Sequence, residues 1–240
     1  MEGVQLGARF SLATNRLSYC GPENAEPLLY RAITRNLDLE AAGESLLKFE
    51  ALAPYLQAIA HKHGLKPLDY RVVEAYWIGN SLLDAFDRED FKDILMALVR
   101  RGLPRRLAER MIDRLPSHPL PHHAFHVCFV GVGNVTGHVE TTVQNMESCR
   151  PAGATVDAIE GEHLWLSKPS LRADRGSILL GDPERVRVHY DPLVLPHLRK
   201  GARVALHWGW PAVEMDEGQA RAHEHYSRVS LEMANESLPR

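Results

Sequence analysis

The chain has 240 residues, room for one or two domains, and its 45% hydrophobic and 25% charged content is that of an ordinary globular protein. A formal net charge of −3 excludes a global electrostatic draw toward nucleic acid or an anionic membrane. No run reaches the ~18 apolar residues of a membrane span, the first residues lack the pattern of a signal peptide, and three cysteines make no disulfide framework; a cytoplasmic protein is expected.

Residues 1–115 read as an all-helical domain. Pro22, after Tyr19-Cys20-Gly21, can open a helix over Leu28, Leu29, Ala32 and Ile33. A second apolar pattern from Leu39 to Ile59 is expected to kink or split at Pro54 and to stop at Gly64. Asp69 caps the next helix, whose apolar positions run from Val72 to Phe86, with Gly79-Asn80 weakening it. Two short helices follow, at 88–101 and 104–115. Arg100, Arg101, Arg105, Arg106 and Arg110 are interrupted by Glu109 and Asp113, the mark of a solvated face.

Residues 116–147 form a connecting segment. Prolines at 116, 119 and 121 break the helical pattern, and the β-branched, aromatic run Phe125–Val132 predicts a strand. A short helix is expected over 138–147. From 148 to 240 the texture is strands and turns: 154–159, 163–166, 177–180, 185–190 and 203–208, punctuated by glycines, then a surface helix from Asp216 to Asn235. The class is α+β.

Several segments can carry chemistry. Cys20, placed at a helix start, would have a lowered pKa and serve as a reactive thiol or ligand. In Pro121-His122-His123-Ala124-Phe125-His126-Val127-Cys128, a helix puts His122 and His126 on one face, whereas a strand lines up His122, His126 and Cys128. Either arrangement offers imidazole and thiolate to zinc or iron, and His138 can add to it if the chain folds back. Glu74-Ala75-Tyr76-Trp77-Ile78-Gly79-Asn80 reads as a packed helix contact; its functional version is a pocket wall with Glu74 as base. Gly131–Gly137 misses the dinucleotide spacing and lacks a P-loop Lys-Ser/Thr. No hydrolase elbow or His-Glu-x-x-His motif occurs, so no catalytic residue is assigned.

A resemblance adds to this. Cys149-Arg150-Pro151-Ala152-Gly153 leads into Ala154-Thr155-Val156-Asp157-Ala158-Ile159-Glu160-Gly161. Later, Lys200-Gly201-Ala202-Arg203-Val204-Ala205-Leu206-His207-Trp208-Gly209 runs on through Trp210-Pro211-Ala212 to the acidic Val213–Ala220. In order and spacing this part resembles the HypC family of NiFe-hydrogenase maturation chaperones, most specifically over Gly201–Ala220. The resemblance implies a small OB-like β-barrel followed by a C-terminal helix. It also implies a chaperone in which Cys149 and His207 hold an iron centre carrying two cyanides and a carbonyl, the Fe(CN)2CO unit. The implied partners are a hydrogenase large subunit precursor or a HypD-like maturation protein, with no nucleic acid and no membrane. The whole chain also resembles an uncharacterised hydrogenase-associated family. One departure stands out: the HypC cysteine is N-terminal, whereas Cys149 lies mid-chain. The alternative expectation is a metal- or thiol-dependent enzyme with a site between the two domains, built from Cys20, His122, His126 and Cys128.

Overall fold

A computed structural model describes residues 1–237; positions 238–240 of the expected C-terminal region lie outside the described residues. The first element is a helix, α1 (Gly3–Arg16), which ends before Cys20. Its Leu6, Ala8, Phe10 and Leu12 are fully buried, because it is sandwiched between other helices and the sheet described below. Asn15, near its end, donates to the carbonyls of Cys20 (3.2 Å) and Pro22 (2.8 Å), which pins the turn that carries Cys20. Cys20 therefore follows a helix instead of opening one.

Helices α2 (Glu26–Arg35), α3 (Leu39–Leu46), α4 (Leu52–His63) and α5 (Tyr70–Trp77) pack around α1 or one another. The apolar pattern of 39–59 breaks at 47–51, ahead of Pro54, which sits in the first turn of α4 where no backbone N–H is required. Gly64 ends α4 in the left-handed conformation, and Asp69 caps α5 by accepting from the Arg71 N–H at 3.0 Å, both as expected. A 3₁₀ turn (Ser81–Ala85), α6 (Arg88–Val99) and α7 (Arg105–Asp113) complete this part. The arginines at 100, 105, 106 and 110 are exposed, and Arg101 donates to the carbonyls of Leu47 and Lys48 beyond the end of α3.

The predicted strand at 125–132 is not one. Residues His123–Phe125 form a short helix, α8, that widens into a π-type turn over His126–Gly131. The segment is almost wholly buried, and a short apolar run of this kind reads alike as strand or buried helix. Helix α9 (Val143–Cys149) begins later than expected, at a Thr142 cap, and carries Cys149 as its last residue.

Five strands follow: β1 (Ala152–Glu160), β2 (His163–Asp174), β3 (Ser177–His189), β4 (Arg203–His207) and β5 (Trp210–Met215). They form one antiparallel sheet in the order β3-β2-β1-β4-β5. The sheet is not closed into a barrel; β3 and β5 are its edges. The two segments expected at 177–180 and 185–190 are one long strand, β3. Strand β5 was not expected, since its residues read as the approach to the last helix. The β4–β5 hairpin turns on two residues, Trp208 (φ 52°) and Gly209 (φ 70°), a left-handed pair suited to so tight a turn. Helix α10 (Glu217–Glu236), capped by Asp216, buries Ala220, His223, Tyr226, Ser230 and Ala234 at helical spacing, so it is a packed element and not only a surface one.

One cluster of buried apolar side chains runs from Leu6 to Ala234 across helices and sheet. Polar ties cross the same boundary: Arg9 donates to Val194 O (2.7 Å), Tyr30 to Asp191 (2.7 Å) and Tyr226 to Asp84 (2.9 Å). Among the described residues no helix is long and apolar enough to cross a membrane.

Candidate metal centre

Three elements end or begin at one point. Helix α9 ends on Cys149, β4 ends on His207, and α8 begins at His123. Cys149 Sγ lies 3.6 Å from His123 Nε2 and 3.8 Å from His207 Nε2. All three ligand atoms are within 4.8 Å of one another, and all three residues are buried. The surroundings hold the meeting point in place. The Trp208 backbone N–H donates to Ser148 O (2.6 Å), tying the β4–β5 hairpin to α9. Arg150, 5% exposed, pairs with Glu147 (2.9 Å) and donates to Pro169 O (2.7 Å), fixing the α9–β1 junction.

The imidazoles are oriented from behind. His207 Nδ1–H donates to Phe10 O on α1 at 2.6 Å, which leaves the Nε2 lone pair facing the thiol. His123 Nδ1 is 2.7 Å from Tyr76 Oη, and its Nε2 is 3.1 Å from Cys149 O. Without an ion this network puts the His123 proton on Nε2; as a ligand, His123 would carry it on Nδ1 and donate to Tyr76. Outer partners of this kind fix the tautomer of metal-bound histidines.

Electrostatics keep the imidazoles neutral. Burial lowers the His207 pKa to about 4, against the opposing hydrogen bonds to the Phe10 and Cys149 backbone. Burial, reinforced by His207 and His126, holds His123 well below the usual histidine range. Burial also pushes the Cys149 thiol far up, with nearby Cys20 adding to the rise and the Trp208 side chain opposing it. The thiol is therefore protonated at neutral pH and becomes a thiolate only with a cation beside it.

The spacing suits a metal. Bonds of about 2.3 Å to sulfur and 2.0–2.1 Å to nitrogen put tetrahedral ligands about 3.5 Å apart and octahedral neighbours about 3.1 Å apart. The 3.6 and 3.8 Å separations sit close to the tetrahedral edge. A metal held by these three residues would have room for a further ligand in the cavity of about 60 Å³ that they line together with Cys20, Tyr76, Trp77, His126 and Trp208. Val132, Gly133, Val135, Thr136 and Val139 of the following loop also line it.

The expected site residues divide. Cys149 and His207 meet, and Cys20 and His126 line the same cavity. Cys20 is half-buried, with its Sγ–H 3.4 Å from Glu50 Oε2, and burial and that carboxylate push its pKa up to about 12. The lowered pKa expected of a helix-start thiol is thus reversed. His122 turns away, toward Ser230 of α10 (3.3 Å). Cys128 is buried elsewhere, its pKa raised by burial to about 12, and His138 is exposed in the loop. The quartet Cys20, His122, His126 and Cys128 therefore does not form one site.

His123 was not singled out. The pairing considered was His122 with His126, four apart. The pair that shares a face is His123 with His126, three apart, with stacked rings 5.7 Å between centroids. Tyr76 and Trp77 line this cavity, whereas Glu74, the base in the functional version of that motif, accepts hydrogen bonds from Asn80 and Gln219 and is not among the lining residues.

A family model matches residues 1–240. The chain belongs to DUF6390, a family of unknown function. No curated protein and no solved structure matches it. The Cys149–His123–His207 arrangement therefore has to be interpreted through its own chemistry.

Proposed function

We propose that this protein is an accessory factor of NiFe-hydrogenase metallocentre assembly. In this reading it holds a metal cargo at Cys149, His207 and His123. It passes the cargo to a HypD-like maturation partner or to the immature large subunit. The observation that carries the reading is the 3.8 Å approach of Cys149 Sγ to His207 Nε2. These are the two residues that the likeness to HypC selects, and they stand 58 positions apart in sequence. The chain order agrees with that likeness: β1 starts just after the thiol, and β4 ends on the histidine. An opened relative of the OB-like barrel is part of the same reading.

The cargo would be iron with cyanide and carbonyl ligands, for which a soft thiolate is a suitable anchor. A six-coordinate iron would require the thiol to draw in toward the two imidazoles by about 0.5–0.7 Å from the present 3.6 and 3.8 Å. In HypC proteins the thiol is at a free terminus. Here it is 9% exposed and lines a cavity whose wall also includes Val132, Val135 and Val139.

The test is anaerobic purification together with the partners. Infrared bands of metal-bound cyanide and carbonyl are expected, and Cys149→Ala should remove them. Full hydrogenase maturation by the Cys149→Ala protein would sink the carrier role. The second reading, a metal-dependent enzyme, draws on the open fourth position, a feature of catalytic zinc sites. Stoichiometric metal that is lost on Cys149→Ala but carries no cyanide or carbonyl bands would favour it.

A further inference from the structure

Three N–H groups around the cavity have no acceptor. Trp77 is 3% exposed and lies against both ligand imidazoles, its ring centroid 4.3 Å from His123 and 4.9 Å from His207. Its indole N–H meets no acceptor among the described residues. The Trp208 indole N–H is likewise buried without an acceptor in hydrogen-bond geometry, although it stands near enough to Cys149 to favour the thiolate. The third is on His126. Tyr55 Oη is fully buried and its one hydrogen-bond partner among the described residues is His126 Nδ1, at 3.0 Å. Tyr55 therefore donates, and the neutral His126 carries its proton on Nε2, which makes no hydrogen bond among the described residues. Trp77, Trp208 and His126 all line the cavity onto which the thiol and the two imidazoles open.

Buried donors are rarely left without partners, and the two buried indole N–H groups, with the unpaired His126 Nε2–H beside them on one cavity, call for an occupant that accepts. A bare cation cannot; it repels the positive end of an N–H dipole. Small anions bound to that cation can. We infer that Trp77, Trp208 and His126 grip the outer ligands of the bound metal, so that the cavity selects a metal bearing small hydrogen-bond-accepting anions over the bare ion. This rests on reading Cys149, His123 and His207 as metal ligands. A volume of about 60 Å³ has room for diatomic or triatomic ligands. The remaining wall includes Val132, Val135 and Val139, and low polarity there strengthens each hydrogen bond made inside.

The experiment uses the full chain loaded with Co²⁺ and titrated with azide, a linear triatomic anion. Binding is read from the cobalt absorption bands and the azide antisymmetric stretch. Trp77→Phe and His126→Leu should each weaken azide about tenfold while Co²⁺ affinity stays within about threefold of wild type. His126→Gln, which keeps an N–H, should recover most of the azide affinity. If Trp77→Phe does not fold, as judged by circular dichroism, Trp208→Phe and the His126 pair decide the matter. Azide binding that ignores all of these substitutions overturns the inference and leaves the metal site standing. Wild-type protein that takes up no Co²⁺ overturns both.

Discussion

Two groups of buried histidines lie back to back in this protein, and neighbouring residues feed them. His123 points toward Cys149, His207 and the cavity. His122 points the other way, to Ser230, in the same region as His223 and Tyr226 of α10. Burial depresses every pKa in both groups: His122 to about 3, and His126, His207 and His223 to about 4. The difference lies in what the ring nitrogens face. His223 Nε2 donates to Pro151 O (3.1 Å) and His122 Nδ1 meets Ser230 (3.3 Å), so these rings tie α10 to the approach to β1 and to the start of α8. In the other group the nitrogens face a thiol and one another, beside a void. Burial and low pKa are shared by structural and ligand histidines; convergence on an empty space separates them.

Acid should act on both groups alike, and with the largest effect. Each folded-state pKa lies below the unfolded value of about 6.5, so the unfolded chain binds more protons as pH falls. Stability is thus present above pH ~6.5 and is lost below it. The loss grows by about 1.4 kcal/mol per pH unit for each of His122, His123, His126, His207 and His223, down to their folded-state values. Five together approach about 7 kcal/mol per unit, against a typical total of about 5–15 kcal/mol. Circular dichroism should show cooperative unfolding between roughly pH 5.5 and 4.5. A native spectrum at pH 4 would mean that these rings are not held neutral.

Metal should separate the groups. Cys149→Ala is expected to lower Co²⁺ or Zn²⁺ affinity by about a thousandfold, the share of one strong ligand, while costing only about 1 kcal/mol of stability. His223→Ala should do the reverse: about 2 kcal/mol of stability lost, through a void and an unpaired Pro151 carbonyl, with metal affinity intact. Equilibrium dialysis and thermal melts on the two variants decide it. Loss of metal from His223→Ala would erase the distinction drawn above.

The two halves of the site were unequally legible in sequence. Cys149 and His207 were singled out only through the resemblance to HypC, and their side chains meet. His123 was not, because its contribution depends on a helical backbone at 123–131 where β-branched content argues for a strand. Cys20 lines the cavity but with its expected pKa reversed, since its position after α1 and beside Glu50 is a tertiary outcome. The helices with clear caps, such as α5 at Asp69, were readable because the signal is local. The open sheet was not readable: whether β3 closes onto β5 depends on twist and on what packs against the faces, not on the strands' own residues.

The site's proton count gives a finer test. The ligand imidazoles are already neutral at pH 6–8, whereas the Cys149 thiol is protonated throughout that range. Binding a divalent ion should therefore release one proton, and affinity should rise about tenfold per pH unit between pH 6 and 8. A slope near two would bring in a second thiol, with Cys20 the one lining the cavity. A slope of zero would show Cys149 ionised without metal.

The smallest effect expected concerns Tyr76, which touches the metal site only through His123. Its hydroxyl, 2.7 Å from His123 Nδ1, is the group that must accept the relocated proton when Nε2 is used for binding. Tyr76→Phe removes that acceptor and leaves a buried N–H unsatisfied in the metal-bound form alone. Metal affinity should then fall between about 10- and 100-fold, the range for outer partners of ligand histidines. Tyr55→Phe is the control. Tyr55 makes the same kind of bond, at 3.0 Å, to His126, which lines the cavity outside the three-residue ligand set. Affinity for bare Co²⁺ should be unchanged in Tyr55→Phe. If the two variants lose affinity equally, His126 is a ligand in its own right and the set of three becomes four.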